Sequence, residues 1–238
     1  LLLTVATILL IPISLIGQET VTIMSWNLLR YYASSTDRTP YFNTIIDSVQ
    51  PDLLVVQELN GPASVDTFHV NALNRSLKMA EFIDGPGMDN ALFFDSTEFV
   101  FTEYQAIPTA YRDLSRYSLS HIPSGHELYV YSLHLKSGSS STFEADRSSQ
   151  IDSLRKNTDA LPPGSNFIVC GDFNIYGDDE EAYQKLLLNT GGDGHLNDGI
   201  MMTGTWNDPS YSEYHTQSTR TRSFGSGATG GLDDRFDM

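Results

Sequence analysis

Short apolar runs that each end in polar residues recur along the chain. Four of them are rich in β-branched, aromatic and leucine residues, and they predict β-strands at 21–27, 52–58, 127–136 and 166–170. The polar residues at or just past their ends are Asn27, Glu58, His134 with Lys136, and Asp172 with Asn174. Four such endings in one chain predict that several strands deliver polar groups to one rim of a packed sheet structure.

The alternation of side chains along a strand assigns these groups to faces. His134 shares a face with Val130, so it follows an apolar face outward. By the same alternation, Glu58 lies on the face of Leu54 and Val56. The convergence of these side chains in space is an expectation of the pattern.

Two helices are predicted between these strands. Thr39 and Pro40 suit the cap and the first helical position of one, and Pro51 ends it. The second spans about 143–156, where residues on nearby turns are apolar. Stretches rich in Gly and Ser predict surface loops at 137–141 and 225–231.

Length and composition favour one large globular domain. The chain has 238 residues and is 40% hydrophobic, which is enough to bury a sizeable core. Its formal net charge of −16 disfavours binding of nucleic acid by bulk charge, since neutralising phosphates requires Lys and Arg. The one cysteine, Cys170, excludes an internal disulfide framework and a cysteine-based zinc cluster.

The first residues form an uncharged apolar run. Residues 1–17 are almost all apolar, but the run is short for a membrane span and contains Pro12. We interpret residues 1–18 as the apolar part of a signal peptide whose start is missing, with a retained membrane anchor as the alternative. A secreted or periplasmic protein without a transmembrane segment in its mature form is expected.

The polar residues at the strand ends suit a particular chemistry. Glu58, Asp172 and Asn174 offer hard oxygen ligands, which suit Mg²⁺, with Mn²⁺ or Ca²⁺ also possible. His134 can exchange protons near neutral pH. With basic residues to balance phosphate charge, the set predicts metal-assisted attack of water on a phosphate ester.

Four sequence words carry a family resemblance. The words SWN at 25–27, QE at 57–58, SLHLKS at 132–137 and GDFN at 171–174 resemble those of the endonuclease/exonuclease/phosphatase superfamily, the DNase I-like proteins. Their order and spacing match over roughly residues 20–238. The resemblance implies an α/β fold: a four-layer α/β sandwich of two mixed β-sheets packed face to face, with flanking helices.

The resemblance also implies residue roles. Glu58 is similar to the main metal ligand, with Asn27 beside it as a ligand or orienting group. His134 is similar to the histidine that contacts the scissile phosphate and helps protonate the leaving group. Asp172 resembles the residue that orients the attacking water or binds a second metal, and Asn174 its phosphate-contacting neighbour.

Three further positions complete the expected site. Arg112 resembles a phosphate-contacting arginine, and Lys136 is expected to balance substrate charge. Asp237, in the word RFDM at 235–238, resembles an aspartate that supports the catalytic histidine. The family's Ser-Asp-His motif does not occur before Met238, so we expect the domain at 19–238 to be incomplete at its C-terminus.

Several functions are compatible with this site. The first expectation is a secreted, Mg²⁺-dependent endonuclease that hydrolyses DNA or RNA phosphodiesters, with no stable protein partner. A sphingomyelinase-type phospholipase C would need an exposed aromatic hairpin, for which 201–214 is the candidate, although that segment is expected to pack as core and loop. An inositol or sugar phosphate phosphatase is also compatible with these residues, as is a non-catalytic surface binding module.

Overall fold

A computed structural model describes residues 20–73, 77–216, 220–222 and 231–238. The predicted signal peptide at 1–18 lies outside the described residues, as does nearly all of the predicted loop at 225–231. Within the described ranges, none of the helices is both long enough and apolar enough to cross a membrane.

In the described part of the chain, the regular structure consists of eight strands and four α-helices. The strands are β1 (Ile23–Tyr31), β2 (Leu53–Leu59), β3 (Leu77–Met79), β4 (Asp89–Asp95), β5 (Phe99–Ile107), β6 (Leu114–His121), β7 (Glu127–His134) and β8 (Asn166–Asp172). The helices are α1 (Thr39–Val49), α2 (Pro62–Ala72), α3 (Ser141–Thr158) and α4 (Glu181–Leu187). Short 3-10 turns lie at Thr36–Arg38 and Pro209–Tyr214.

The strands form two mixed sheets of four. The first has the order β1-β2-β4-β3, and the second has the order β5-β6-β7-β8. β1 and β2 are parallel, as are β7 and β8, and the other neighbours are antiparallel. Each sheet therefore has one pair of parallel strands whose carboxyl ends meet at the same edge.

Three apolar clusters stack the elements in four layers. Leu53 and Val55 of β2 face the second sheet, where they join a cluster with Tyr117 and Val130. The alternate β2 residues pack on the other side, in a cluster that includes Phe42 of α1 and Phe68 of α2. A third cluster joins the outer face of the second sheet to α3 and α4. The expected four-layer α/β sandwich is confirmed, and burial of both faces explains the continuous apolar runs.

The predicted helices are present with slightly different ends. α1 begins at Thr39 with Arg38 at the capping position, so Pro40 occupies its first turn. α3 extends beyond the predicted 143–156 because the Ser140 hydroxyl accepts a hydrogen bond from the Phe143 N–H and caps the helix earlier.

A close approach between β7 and β8 requires a glycine. Gly171 has φ = +135°, and a Cβ built at this position would overlap with the carbonyl oxygen of Leu133. The chain from 236 to 238 runs antiparallel along the same part of β8, and a β-bridge joins Asp172 to Asp237. The end of β8 is thus held from both sides, next to the edge where the parallel strands end.

Candidate active site

Four predicted residues from four strands meet at one rim of the sandwich. The Asn27 side-chain amide donates to Glu58 Oε1 at 3.0 Å and to Asp172 Oδ2 at 2.9 Å. His134 Nε2 lies 3.8 Å from Glu58 Oε1 and 3.7 Å from Asp172 Oδ2. The carboxyl ends of β2, β7 and β8 therefore converge on the middle of β1, and the polar groups meet as the sequence predicted.

Glu58 reaches this cluster through an irregular backbone. Strict alternation would place it on the outer face of the first sheet, with Leu54 and Val56. Its φ is +66°, and the pairing of β2 with β4 shifts register between Val56 and Leu59. Such irregularities redirect side chains, and left-handed backbone at a non-glycine residue is a form of strain found at functional sites. The carboxylate consequently points between the sheets.

The end of β1 is also irregular and supports both residues. Leu29 and Arg30 have φ of +47° and +46°. The Leu29 N–H donates to Asn27 Oδ1 at 2.8 Å, and the Arg30 N–H donates to Glu58 Oε2 at 2.7 Å. Because its Oδ1 accepts a hydrogen bond from the Leu29 N–H, the Asn27 side chain directs its amide nitrogen at the two carboxylates. This is the geometry of an orienting group.

Arg38 is a supporting residue that the sequence reasoning missed. Its guanidinium donates to the carbonyl oxygens of Leu28 at 2.6 Å and Leu29 at 3.0 Å, and it reaches the Arg30 carbonyl at 3.3 Å. It therefore fixes the irregular end of β1. No motif marks this arginine, because its partners are backbone groups.

Burial strongly perturbs the protonation of the cluster. Burial lowers the pKa of His134 well below its ordinary value, and the nearby Arg112 guanidinium adds to this effect. Burial also raises the pKa of Asp172, and repulsion from Glu58 contributes in the same direction. These shifts reflect a site with two close carboxylates and little solvent.

The donor set fits a divalent cation. One ligand atom from each of Glu58, His134 and Asp172 lies within 4.8 Å of the others. Two carboxylates in partial burial repel each other, and a cation between them would relieve that repulsion. The two carboxylates supply the oxygen ligands that suit Mg²⁺ or Mn²⁺.

Asn174 and Arg112 pack beside the cluster. Asn174 has φ = +50°, its N–H donates to Asp172 Oδ1 at 3.2 Å, and its amide donates to the Leu135 carbonyl at 3.3 Å. The Arg112 guanidinium donates to the carbonyls of His134 at 3.1 Å and Leu135 at 2.9 Å. Both side chains thus bind the backbone that follows β7 and hold His134 in place.

Lys136 is directed away from the carboxylates. Its ammonium lies 3.6 Å from the centre of the Phe143 ring and donates to the Ser137 carbonyl at 3.0 Å. The substrate role assigned to Lys136 stays a prediction.

Asp237 adds a third carboxyl to the neighbourhood. Burial and repulsion from Asp172 and Glu58 raise its pKa well above the ordinary value. Its Oδ1 atom is buried without a hydrogen-bond partner among the described residues. This unpaired oxygen can accept a hydrogen bond. The expected role of Asp237 in supporting the catalytic histidine stays a prediction.

A second group that the sequence reasoning missed links the two sheets behind the site. Gln57 is fully buried, and its amide donates to Ser132 Oγ at 3.2 Å. Asn90 of β4 donates to the Ser132 carbonyl at 3.3 Å. The sequence signal for this link was the presence of polar residues within apolar strands, because a buried amide needs hydrogen-bond partners.

The aromatic segment at 201–214 is mostly exposed, with Met202 and Trp206 buried within it. Trp206 is fully buried and makes an edge-on contact with Tyr183 at 5.0 Å between ring centres. The expectation that this segment packs as core and loop is confirmed for its tryptophan, so that residue is not available for docking to a membrane.

The comparisons with known proteins bear on the fold. No protein-family model matches the chain, and no curated protein sequence matches it. Solved structures do: TDP2 of D. rerio complexed with a single-strand DNA product has a TM-score of 0.60 at 17% identity, with 91% of this chain and 81% of that chain covered. The human Nocturnin catalytic domain with bound sulfate has a TM-score of 0.55 at 26% identity, covering 70% and 68%.

A phosphatase has a similar fold. The mannosyl-6-phosphatase Bt3783 of Bacteroides thetaiotaomicron has a TM-score of 0.52 at 18% identity, covering 70% of this chain and 69% of that chain. An endonuclease/exonuclease/phosphatase family protein of the same bacterium has a TM-score of 0.54 at 18% identity, covering 69% and 66%. The chain therefore has the fold of the endonuclease/exonuclease/phosphatase superfamily, the DNase I-like proteins.

Proposed function

We propose that this protein hydrolyses phosphate esters with water activated by a divalent metal ion, Mg²⁺ being the expected one. The observation that carries the proposal is the meeting of Glu58, His134 and Asp172, whose ligand atoms lie within 4.8 Å of one another. The fold, shared with a phosphatase and with a protein bound to a DNA product, supports it.

Glu58 is the residue that would hold the metal. A bound divalent ion polarises phosphoryl oxygens and lowers the pKa of water. Asn27 holds the Glu58 and Asp172 carboxylates beside each other through its two amide hydrogen bonds. Asp172 accepts a hydrogen bond from the attacking water and orients it.

The other side chains would bind the phosphate. His134 Nε2 faces the same space as the two carboxylates and can donate to a phosphate oxygen. Asn174 and Arg112 border it and can contribute further donors at short distance. Donors fixed in advance by the backbone stabilise developing charge more effectively than mobile ones do.

Two classes of substrate follow from this chemistry. An endonuclease is the candidate predicted from the sequence, and the similarity in fold to TDP2 with its DNA product supports it. A sugar phosphate phosphatase is the second candidate, supported by an acidic cavity beside Arg112 and by the similarity in fold to a mannosyl-6-phosphatase.

The direct test compares substrates under controlled metal conditions. The full-length protein is incubated with supercoiled plasmid, a single-stranded oligonucleotide, sphingomyelin and small phosphate esters, with Mg²⁺ or with EDTA. We expect hydrolysis that requires the metal and is lost in Glu58→Ala, but is kept in Glu103→Gln, a substitution of an exposed carboxylate on β5. A folded wild-type protein that cleaves none of these would favour the non-catalytic binding module.

We also propose export of the protein, on the basis of the apolar run at 1–18. Expression of the native gene followed by fractionation and N-terminal sequencing tests this. We expect a mature N-terminus near residue 18 in the secreted or periplasmic fraction, and an uncleaved membrane-bound chain would instead support the anchor.

A further inference from the structure

A cavity opens beside the candidate active site. It has a volume of about 230 Å³ and lies between the segment that leads into β4 and the facing ends of β5 and β6. The lining residues that matter here are Asp84, Asp89, Asn90, Tyr104, Asp113 and Ser115.

The cavity adjoins the candidate active site through backbone contacts. The Asn90 amide donates to the carbonyl of Ser132, two residues before His134 in β7. Asp113 follows Arg112 in the chain, and a Cβ placed on Gly87 would lie 3.5 Å from Arg112 Cγ. The cavity therefore lies against the segments of the chain that carry Arg112 and His134.

The polar lining consists mainly of hydrogen-bond acceptors. Asn90 is only 7% exposed, and its Oδ1 atom has no hydrogen-bond partner among the described residues. Asp89 is also 7% exposed, and it already accepts the N–H groups of Gly85 at 2.8 Å and Gly61 at 3.2 Å. An unpaired buried acceptor costs free energy until a donor satisfies it.

The charge of this lining discriminates between the two substrate classes. Three carboxylates, those of Asp84, Asp89 and Asp113, repel the phosphates of a nucleic-acid strand passing through the cavity. Hydroxyl groups, in contrast, donate to carboxylate and amide oxygens and accept from hydroxyls such as those of Tyr104 and Ser115. The lining thus matches an uncharged group with several hydroxyls.

We infer that this cavity binds the hydroxyl-rich organic part, a sugar or another polyol, of a phosphate ester whose phosphate lies at the candidate active site, where His134 donates to it. This inference rests on the proposed function and specifies its substrate class. Asn90 and Asp89 are the buried acceptors of the subsite, while Asp84 and Asp113 receive hydroxyls at its rim.

The experiment separates recognition of the polyol from hydrolysis. Asp84→Asn and Asp113→Asn keep the shape of partly or fully exposed side chains and remove one charged acceptor each. The matched control is Asp193→Asn, an exposed carboxylate beside Asn166 at the amino end of β8, whereas the candidate active site lies at the carboxyl end of that strand. For each protein, kcat/KM is measured on mannose 6-phosphate and on p-nitrophenyl phosphate, which has no hydroxyl groups on its organic part.

The ratio of the two kcat/KM values reports on the subsite. We expect it to favour mannose 6-phosphate in the wild type and to fall about tenfold or more in the double variant, because hydrogen bonds to charged acceptors are lost. We expect no such fall in Asp193→Asn. Calorimetry of mannose 6-phosphate binding to Glu58→Gln protein supplies a readout without turnover, and the cavity substitutions should weaken that binding.

Several results would overturn the inference while leaving the proposed function standing. One is a ratio of kcat/KM values that falls no more in the double variant than in Asp193→Asn. Another is a higher kcat/KM for ethanolamine phosphate than for mannose 6-phosphate. A third is efficient cleavage of an oligonucleotide while both small phosphate esters are left intact. Failure of the proposed function looks different. In that case the wild type and Glu58→Ala would release no product from any ester, p-nitrophenyl phosphate included.

Discussion

The Asn27 side chain donates a 2.9 Å hydrogen bond to Asp172 although the two residues are 145 positions apart. They lie on different sheets, Asn27 on β1 and Asp172 on β8. The same amide nitrogen donates to Glu58 on β2. One short side chain thus fixes the separation of two carboxylates that would otherwise repel each other.

Substitution of Asn27 tests this bridging role. In Asn27→Ala both hydrogen bonds are lost, so we expect kcat for a phosphate ester to fall about 10- to 100-fold, as for other residues that orient metal ligands. Steady-state kinetics over a range of Mg²⁺ concentrations checks this. Asn207→Ala, at an exposed asparagine, is the control, and equal activity in the two variants would contradict the bridging role.

Loss of the Glu58 carboxylate should appear directly in metal binding. Glu58→Gln removes one charge from the donor set, and we expect the affinity for Mg²⁺ to fall at least about tenfold. Isothermal titration calorimetry of the two proteins measures the difference. Glu103→Gln should bind Mg²⁺ as the wild type does, and unchanged affinity in Glu58→Gln would place the metal elsewhere.

Gly171 should be among the least replaceable residues of the fold. A side chain at this position meets the Leu133 carbonyl, and the positive φ adds strain, so Gly171→Ala should lower the free energy of unfolding by about 3 kcal/mol. Gly164 also has a positive φ, but nothing lies within 4 Å of its added Cβ. Gly164→Ala should therefore cost only about 1 kcal/mol, and similar urea midpoints for the two variants would refute the steric argument.

The ion pair of Asp198 with Arg235 should make stability depend on acid pH. Burial opposes ionisation of Asp198, but bonds of 2.8 and 2.9 Å from Arg235, with others from Ile200 and Tyr183, outweigh burial and lower its pKa to about 2. Because the folded pKa lies below the unfolded value of about 3.9, the stabilisation is complete above that pH and is lost as pH falls towards 2.

Urea unfolding measures how much the ionised Asp198 contributes to the free energy of unfolding. The contribution at neutral pH is about 2 kcal/mol. Urea unfolding of the wild type and Asp198→Asn between about pH 6 and about pH 2.5 should therefore give curves that converge in acid. Asp193→Asn should run parallel to the wild type throughout, and a constant gap between wild type and Asp198→Asn would show that the charge is not the cause.

Elements were missed from the sequence for different reasons. β5 carries Thr102, Glu103 and Gln105 among its apolar residues, and a register shift between Phe101 and Glu103 interrupts its alternation, so no regular period marks it as a strand. β4 is short and apolar, but the glycine-rich segment before it hides its start. α2 begins at Pro62 after Gly61. A proline in the first turn favours a helix start, but the sequence reasoning did not use this signal.

The sequence by itself indicated the class of fold, through its resemblance to a family, and most residues of the candidate site, because sequence words and polar strand ends are local properties. Only the tertiary structure decided that Glu58 turns inward, since this depends on a left-handed residue and a register shift between β2 and β4. It likewise directed Lys136 onto Phe143 and formed the acidic cavity from three separate segments. Those outcomes depend on contacts between distant residues, and no local pattern of side chains encodes such contacts.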